Sequence, residues 1–162
     1  MKPVLKIKRR LEGAVLPEYK KVKDSGFDLA VCFDEEDFHY TEVEGKMKKV
    51  YHLKNGERRL FDTGLTFEIP EGYEVQIRPR SGMACKEGIT VINAPGTIDE
   101  SYRGKIMICL VNLSGGDFFL LYDGMRVAQG ILAPRVQADI VEVEDVDKNT
   151  DRGDGGFGHT GY

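Results

Sequence analysis

The chain has 162 residues, 41% hydrophobic and 31% charged, with 23 Lys and Arg against 27 Asp and Glu for a net charge of −4. That length suits one domain around a single core. The acidic balance argues against a phosphate-tracking basic face, and no apolar run approaches the roughly 18 residues of a membrane span, so neither nucleic acid nor membrane is an expected partner. Cys32, Cys85 and Cys109 are widely spaced, odd in number and without a C-x-x-C pattern, which fits small apolar residues in a reducing compartment. The N-terminal MKPVLKIKRRLEG carries charges but no apolar stretch of a signal peptide, and the expected location is cytoplasmic.

Residues 4–10, VLKIKRR, alternate apolar and basic side chains at period two, the pattern of a half-buried strand. In DSGFDLA at 24–30, Gly26 beside an aromatic and an acid suggests a bulge or a tight approach. Residues 33–49 turn acidic and then lysine-rich and read as a charged insert, a surface hairpin or loop with a solvated charge run. The Asn55-Gly56 pair that follows is the strongest hairpin signal in the chain, because both residues tolerate positive φ. Strands are expected at 65–69 and 73–77 on either side of Pro70-Glu71-Gly72, and later at 106–112, 118–121, 126–133 and 137–143. Only 81–86, SGMACK, looks helical. Many short strands at roughly ten-residue spacing with one short helix imply an all-β antiparallel barrel or jelly roll. The expected organisation is a single β-barrel domain over 1–144 and a flexible glycine-rich C-terminal arm over 145–162, ending in RGDGGFGHTG at 152–161, a composition that cannot pack a core.

Four stretches carry candidate chemistry. VINAPGTIDESYRGKIM at 91–107 reads as a β-hairpin whose connecting segment holds Pro95, Gly96 and Gly104 as breakers and Asp99 in its middle. Its backbone groups suit a flat ligand edge; Asp99 is either a turn former or a base that activates water, and Tyr102 suits the floor under a sugar. Arg80-Ser81-Gly82 opens the helical turn, either as an anion site or with Ser81 as a simple N-cap and Arg78 and Arg80 solvated. Arg126 and Gln129 interrupt an apolar strand and need partners if buried. The tail is either plain disorder or a strap in which Arg152 pairs with phosphate, glycine N–H groups approach oxygens and Phe157 stacks on a ring. No Walker-type loop and no Cys/His cluster occurs; His39 and His52 fall in or beside the charged insert, and His159 falls in the strap. Any metal should be a hard cation held through ligand phosphates.

DSGFDLA at 24–30, PRSGMA at 79–84, INAPGTIDESYRG at 92–104, GMRVAQGIL at 124–132 and RGDGGFGHTG at 152–161 together, in this order, resemble the trimeric dUTP pyrophosphatases. The resemblance implies a homotrimer of distorted jelly-roll barrels, with active sites shared between chains and closed by the C-terminal arm. It implies hydrolysis of dUTP to dUMP and pyrophosphate by water attack on the α-phosphorus, with Mg²⁺ on the triphosphate. Carried over by position, Asp99 orients the water and Tyr102 packs against the deoxyribose. Asn93 and the hairpin backbone at Gly96, Thr97 and Ile98 read the uracil edge. Arg80, Ser81, Gly82 and Gln129 hold phosphates, and Asp28 supports the metal indirectly, through water. From the arm, Arg152, Phe157, Gly158, His159 and Thr160 clamp the nucleotide. His159 stands where the family's arm usually has serine, and the segment at about 32–49 is longer than typical. Two alternatives remain open at this point: a dCTP deaminase or bifunctional deaminase-dUTPase of similar fold, which uses a glutamate in the hairpin region, and a regulatory protein-binding role through the charged insert.

Overall fold

The computed structural model describes residues 2–34 and 38–156. Its strands are β1 (Lys6–Arg9), β2 (Phe27–Ala30), β3 (His39–Val43), β4 (Lys46–Lys54), β5 (Arg58–Asp62), β6 (Leu65–Glu68) and β7 (Tyr73–Pro79). After α1 (Ser81–Glu87) come β8 (Ile89–Val91), β9 (Gly96–Ile98), β10 (Met107–Asn112), β11 (Phe118–Tyr122) and β12 (Arg126–Pro134). They form four small sheets, ordered β1-β6, β5-β10-β8, β11-β4-β3 and β2-β12-β7-β9, with every pairing antiparallel. The fold is a distorted, jelly-roll-like β-barrel with one short helix.

Period two explains which face of each strand turns inward. In β6, Leu65 and Phe67 are buried while Thr66 and Glu68 are not; in β7, Val75 and Ile77 are buried between Glu74, Gln76 and Arg78. These side chains join Leu29, Phe61, Ile108, Leu110 and Leu121 in one core, each large apolar group contributing roughly 1.5–3 kcal/mol on burial.

Two sequence expectations need correction. Asn55-Gly56 does not close a hairpin: β4 pairs with β3 and β11, whereas β5 pairs with β10. Gly56 has φ of +75° but Asn55 is not at positive φ, so this is not the primed turn whose twist returns a strand onto its partner. The Lys54–Glu57 turn instead carries the chain from one sheet to another, closed by Glu57 N–H donating to the Lys54 carbonyl at 3.0 Å. The charged insert, by contrast, forms the hairpin that was one of its two expected readings: β3 and β4 pair and extend a sheet, while Phe33 ahead of them is buried and its ring stacks on Phe38 at 4.1 Å. Residues 137–143 alternate like a strand but form none, and regular structure ends at Pro134. Their N–H groups meet no partner strand in the chain, and alternation without a ladder does not make a strand.

Candidate active site

The four-stranded sheet builds the first half of the site. Asp28 on β2 lies opposite Gln129 on β12, which in turn lies opposite Arg78 on β7. The register between β2 and β12 shifts between Arg126 and Ala128, a bulge that turns Arg126 outward beside Asp28 while Val127 and Ala128 both stay buried. Asp28 then accepts from two guanidinium groups: its Oδ1 from Arg80 Nε at 3.1 Å, its Oδ2 from Arg126 Nη1 at 2.7 Å. Arg80 Nη1 also donates to the Arg126 carbonyl at 3.1 Å. One carboxylate between two guanidiniums leaves a net positive cluster, braced for an anion. Gln129 Nε2 donates to the Pro79 carbonyl at 2.9 Å, fixing the chain just ahead of Arg80. The tight approach expected at Gly26 is present, since a Cβ there would stand 2.5 Å from Gln129 Oε1.

α1 begins at Ser81, with Arg80 as its N-cap and no side-chain cap bond, so Ser81 is not the N-cap. The first backbone bond of the helix runs from Ala84 N–H to the Arg80 carbonyl at 2.9 Å. That leaves the N–H groups of Ser81, Gly82 and Met83 ahead of the intrahelical ladder. A cleft of about 460 Å³ opens here, lined among others by Asp28, Arg80, Ser81, Gly82, Arg126 and Gln129. Five of the sequence-predicted residues therefore meet in one place. Arg126, Lys86 and Phe119 also line it and were not singled out as site residues; only Arg126 gave a signal, as a charge inside an apolar strand.

The hairpin builds the second half. β8 and β10 pair as expected, with Val91 opposite Leu110, but their connection is not a simple loop. Its middle, β9, leaves the hairpin and pairs with β7, with Ile98 opposite Val75 and Gly96 opposite Ile77. A Cβ on Gly96 would stand 3.0 Å from Asn93 Nδ2, so glycine lets the Asn93 carboxamide lie against this strand, with Thr97 exposed and Ile98 partly buried beside it. Asp99 opens a turn through its backbone, its carbonyl accepting from Tyr102 N–H at 3.0 Å. Its carboxylate is exposed, and among the described residues no donor reaches it, so the acid is not consumed in forming that turn. The Tyr102 ring folds over Gly104, where a Cβ would stand 2.4 Å from Oη, and Oη donates to the Lys105 carbonyl at 3.0 Å. Thr97, Ile98, Asp99 and Tyr102 line a cavity of about 160 Å³.

The two halves do not meet within one chain. With Ile98 opposite Val75, Asp99 falls beside Glu74, six residues before Arg80 along β7. At about 3.3 Å per residue that is roughly 20 Å. Arg152 is exposed, its Nε donating within its own turn to the Gly155 carbonyl at 2.9 Å, and it joins neither half. Phe157, Gly158, His159 and Thr160 lie outside the described residues. Among the described residues no group of three or more His, Cys, Asp or Glu side chains is placed to hold a metal ion.

The dUTPase family model matches residues 46–161. The chain belongs to the dUTPase family. It is 48% identical over 157 residues to the deoxyuridine 5'-triphosphate nucleotidohydrolase of Nautilia profundicola, covering 97% of this chain and 98% of that one. The enzyme of the same name from Chlamydia pneumoniae is 46% identical over 149 residues, covering 92% of each. Among solved structures, the Staphylococcus bacteriophage 80alpha dUTPase with dUPNHPP shares the fold at a TM-score of 0.77 and 22% identity, covering 98% of this chain and 99% of that one. A mutant dUTPase from phage phi11 of S. aureus, at a TM-score of 0.68 and 20% identity over 88% of this chain and 97% of that one, coordinates a structural Mg(II) ion.

Proposed function

We propose that this dUTPase-family chain hydrolyses dUTP to dUMP and pyrophosphate, working as a ring of three copies in which Asp99 of one chain faces the phosphate cleft of the next. The observation that carries the reading is the length of β7. An acid without a partner among the described residues stands beside one end of that strand and a braced pair of arginines at the other, roughly 20 Å apart, too far to serve one triphosphate within a single chain. Two copies supply both groups to the same nucleotide.

In that arrangement the hairpin backbone at Gly96, Thr97 and Ile98, with Asn93, meets the base edge, and the Tyr102 ring packs against the sugar where a 2′-hydroxyl would stand. Arg80, Arg126, Gln129 and the free N–H groups at Ser81 and Gly82 take the phosphate oxygens, so charge that develops on the leaving pyrophosphate falls among donors already in place. The Asp99 carboxylate accepts a proton from one water and aims its lone pair at the α-phosphorus. Little else is asked of the protein, because phosphoryl transfer is limited by positioning and charge neutralisation. A divalent ion such as Mg²⁺, carried on the triphosphate, would supply further neutralisation of phosphate charge. Both Asp28 oxygens already accept from arginine, which favours a supporting role for Asp28 towards such an ion, through water, over direct ligation. The glycine-rich segment from 145 to 162 acts as an arm distinct from the barrel, its Arg152, Phe157, Gly158, His159 and Thr160 closing over the nucleotide.

Pyrophosphate release measured separately on dUTP, dCTP, dTTP, dATP and dGTP tests the reading. Release from dUTP alone is expected. Ammonia released from dCTP would replace it with the deaminase alternative.

A further inference from the structure

We infer that Glu100 is a positioning residue for Asp99, held in place by Arg135 at the exit of β12 and by the backbone N–H of Gly72 ahead of β7. The inference rests on Asp99 as the water-orienting group of the proposed reaction. Because no donor among the described residues reaches the Asp99 carboxylate, its aim is set by its own backbone, which is held within the turn by the bond from Tyr102 N–H and tied to the rest of the barrel through the next side chain. Glu100 Oε2 accepts from Gly72 N–H at 2.9 Å and from Arg135 Nη2 at 3.0 Å. The Gly72 carbonyl in turn accepts from Arg135 N–H at 2.8 Å. Three bonds thus close a ring among three segments: the turn before β7, the end of β12 and the loop that follows β9. Glu100 and Arg135 are each about 30% exposed, sheltered enough for a defined geometry. The other side of the loop is also tied down, since Arg103 Nη1 donates to the carbonyls of Glu100 at 2.5 Å and Tyr102 at 2.9 Å.

Two further features favour a role beyond surface pairing. Arg135 Nε is buried without a hydrogen-bond partner among the described residues, a cost borne while keeping the guanidinium at this spot. In addition, Asp99, Glu100, Ser101, Arg135 and Gln137 line one cavity of about 320 Å³, so the clamp and the acid border the same space. The Gly72 N–H and Arg135 hold the Glu100 carboxyl below the usual carboxylate range, as expected for a carboxylate that accepts both bonds in its charged form.

The test uses the full-length protein with Glu100→Ala, Glu100→Gln and Arg135→Met, and reads kcat and KM for dUTP beside melting temperature and oligomer mass. Gln keeps an oxygen for the Gly72 N–H while removing the charge pair. A fall in kcat of about tenfold or more is expected in Glu100→Ala, since small misplacements of a reacting group are costly. A smaller fall is expected in Glu100→Gln, with KM, melting temperature and mass near the wild-type values. In an Arg135→Met background, Glu100→Gln should add little, because the pair it breaks is already gone. If Glu100→Ala does not fold, Glu100→Gln and Arg135→Met carry the test. Unchanged kcat in the folded variants overturns the inference, as does a kcat loss that only tracks a loss of melting temperature. A wild-type protein that releases no pyrophosphate from dUTP overturns the proposed function instead, and this inference with it.

Discussion

Mixing two inactive chains tests whether the active site is shared. Arg80→Ala removes one of two guanidiniums from Asp28, which keeps Arg126 at 2.7 Å; the lost pair is part-exposed, so its removal should cost no more than about 1 kcal/mol of stability. Asp99→Asn removes a charge from an exposed side chain that has no bond to lose among the described residues. Each variant alone should fold and release almost no pyrophosphate. In a randomly co-assembled one-to-one mixture, a site works when the copy supplying Asp99 is the Arg80→Ala chain and the neighbour supplying the cleft is the Asp99→Asn chain. Each condition holds about half the time, so about a quarter of wild-type turnover should return in the unfractionated mixture, and about a third in captured mixed rings of three copies, each of which holds one working site. Were both residues drawn from one chain, no pairing of the variants would make a working site. The assay is pyrophosphate release after co-expression with two different affinity tags and sequential capture, which proves that mixed oligomers are present. Captured mixed oligomers no more active than either parent would refute the separation read from β7.

Gly82 and Cys32 give two more measurements. Nothing lies within 4 Å of where a Cβ on Gly82 would stand, and its φ is not in the left-handed region, so the fold itself does not call for glycine there. Gly82→Ala should raise stability by up to about 1 kcal/mol through helix propensity, yet raise KM for dUTP about tenfold if phosphate oxygens approach this turn closely; an unchanged KM would refute that approach. Burial, together with the nearby Asp123 and Asp62 carboxylates, pushes the Cys32 thiol up to about 11 from its ordinary 9.0, while Cys85 is exposed. Alkylation of the native protein at pH 8 should therefore mark Cys85 well before Cys32. Because the folded value lies above the unfolded one, the contribution is complete below about pH 9 and is lost as pH rises towards 11. Melting temperature should accordingly fall less over that interval in Cys32→Ala, and equal slopes would refute the linkage.

What the sequence revealed depended on whether a residue's surroundings repeat along the chain. β6 and β7 were legible because one face of each packs on the core and the other does not. The helix was legible because Ser-Gly follows a proline-bounded strand end and apolar Met83 anchors the turn. β9 was not, since three residues, Gly96–Ile98, are too few to show a period, and their partner β7 lies about twenty positions away. The Asn55-Gly56 turn misled because the dipeptide does not disclose the φ of Asn55, and that angle decides whether the strands pair or part. The pairing of Asp28 with Arg126 spans 98 positions and depends on a bulge, neither of which has a local signature. The candidate residues themselves were found largely through family resemblance; composition alone left Asp99 as either a turn former or a base.

The misplaced strand at 137–143 bears on the same question as the mixing experiment. Val136, Ile140, Val141 and Val143 are 91%, 98%, 73% and 59% exposed, a density of bare aliphatic side chains at odds with the clean alternation of β6 and β7. Such a segment gains little in water from its β-branched residues, because strand propensity reflects packing against neighbours and burial rather than a backbone preference. If the copies assemble in the proposed ring, the alternation would have a use: laid against a neighbour's sheet, the segment would find both the N–H and C=O partners and the apolar cover it lacks among the described residues. It also leaves the barrel directly after Arg135, the residue that clamps the Asp99 loop. In the proposed ring, the departure of the arm from the barrel and the aim of the acid would therefore be set at one point in the fold.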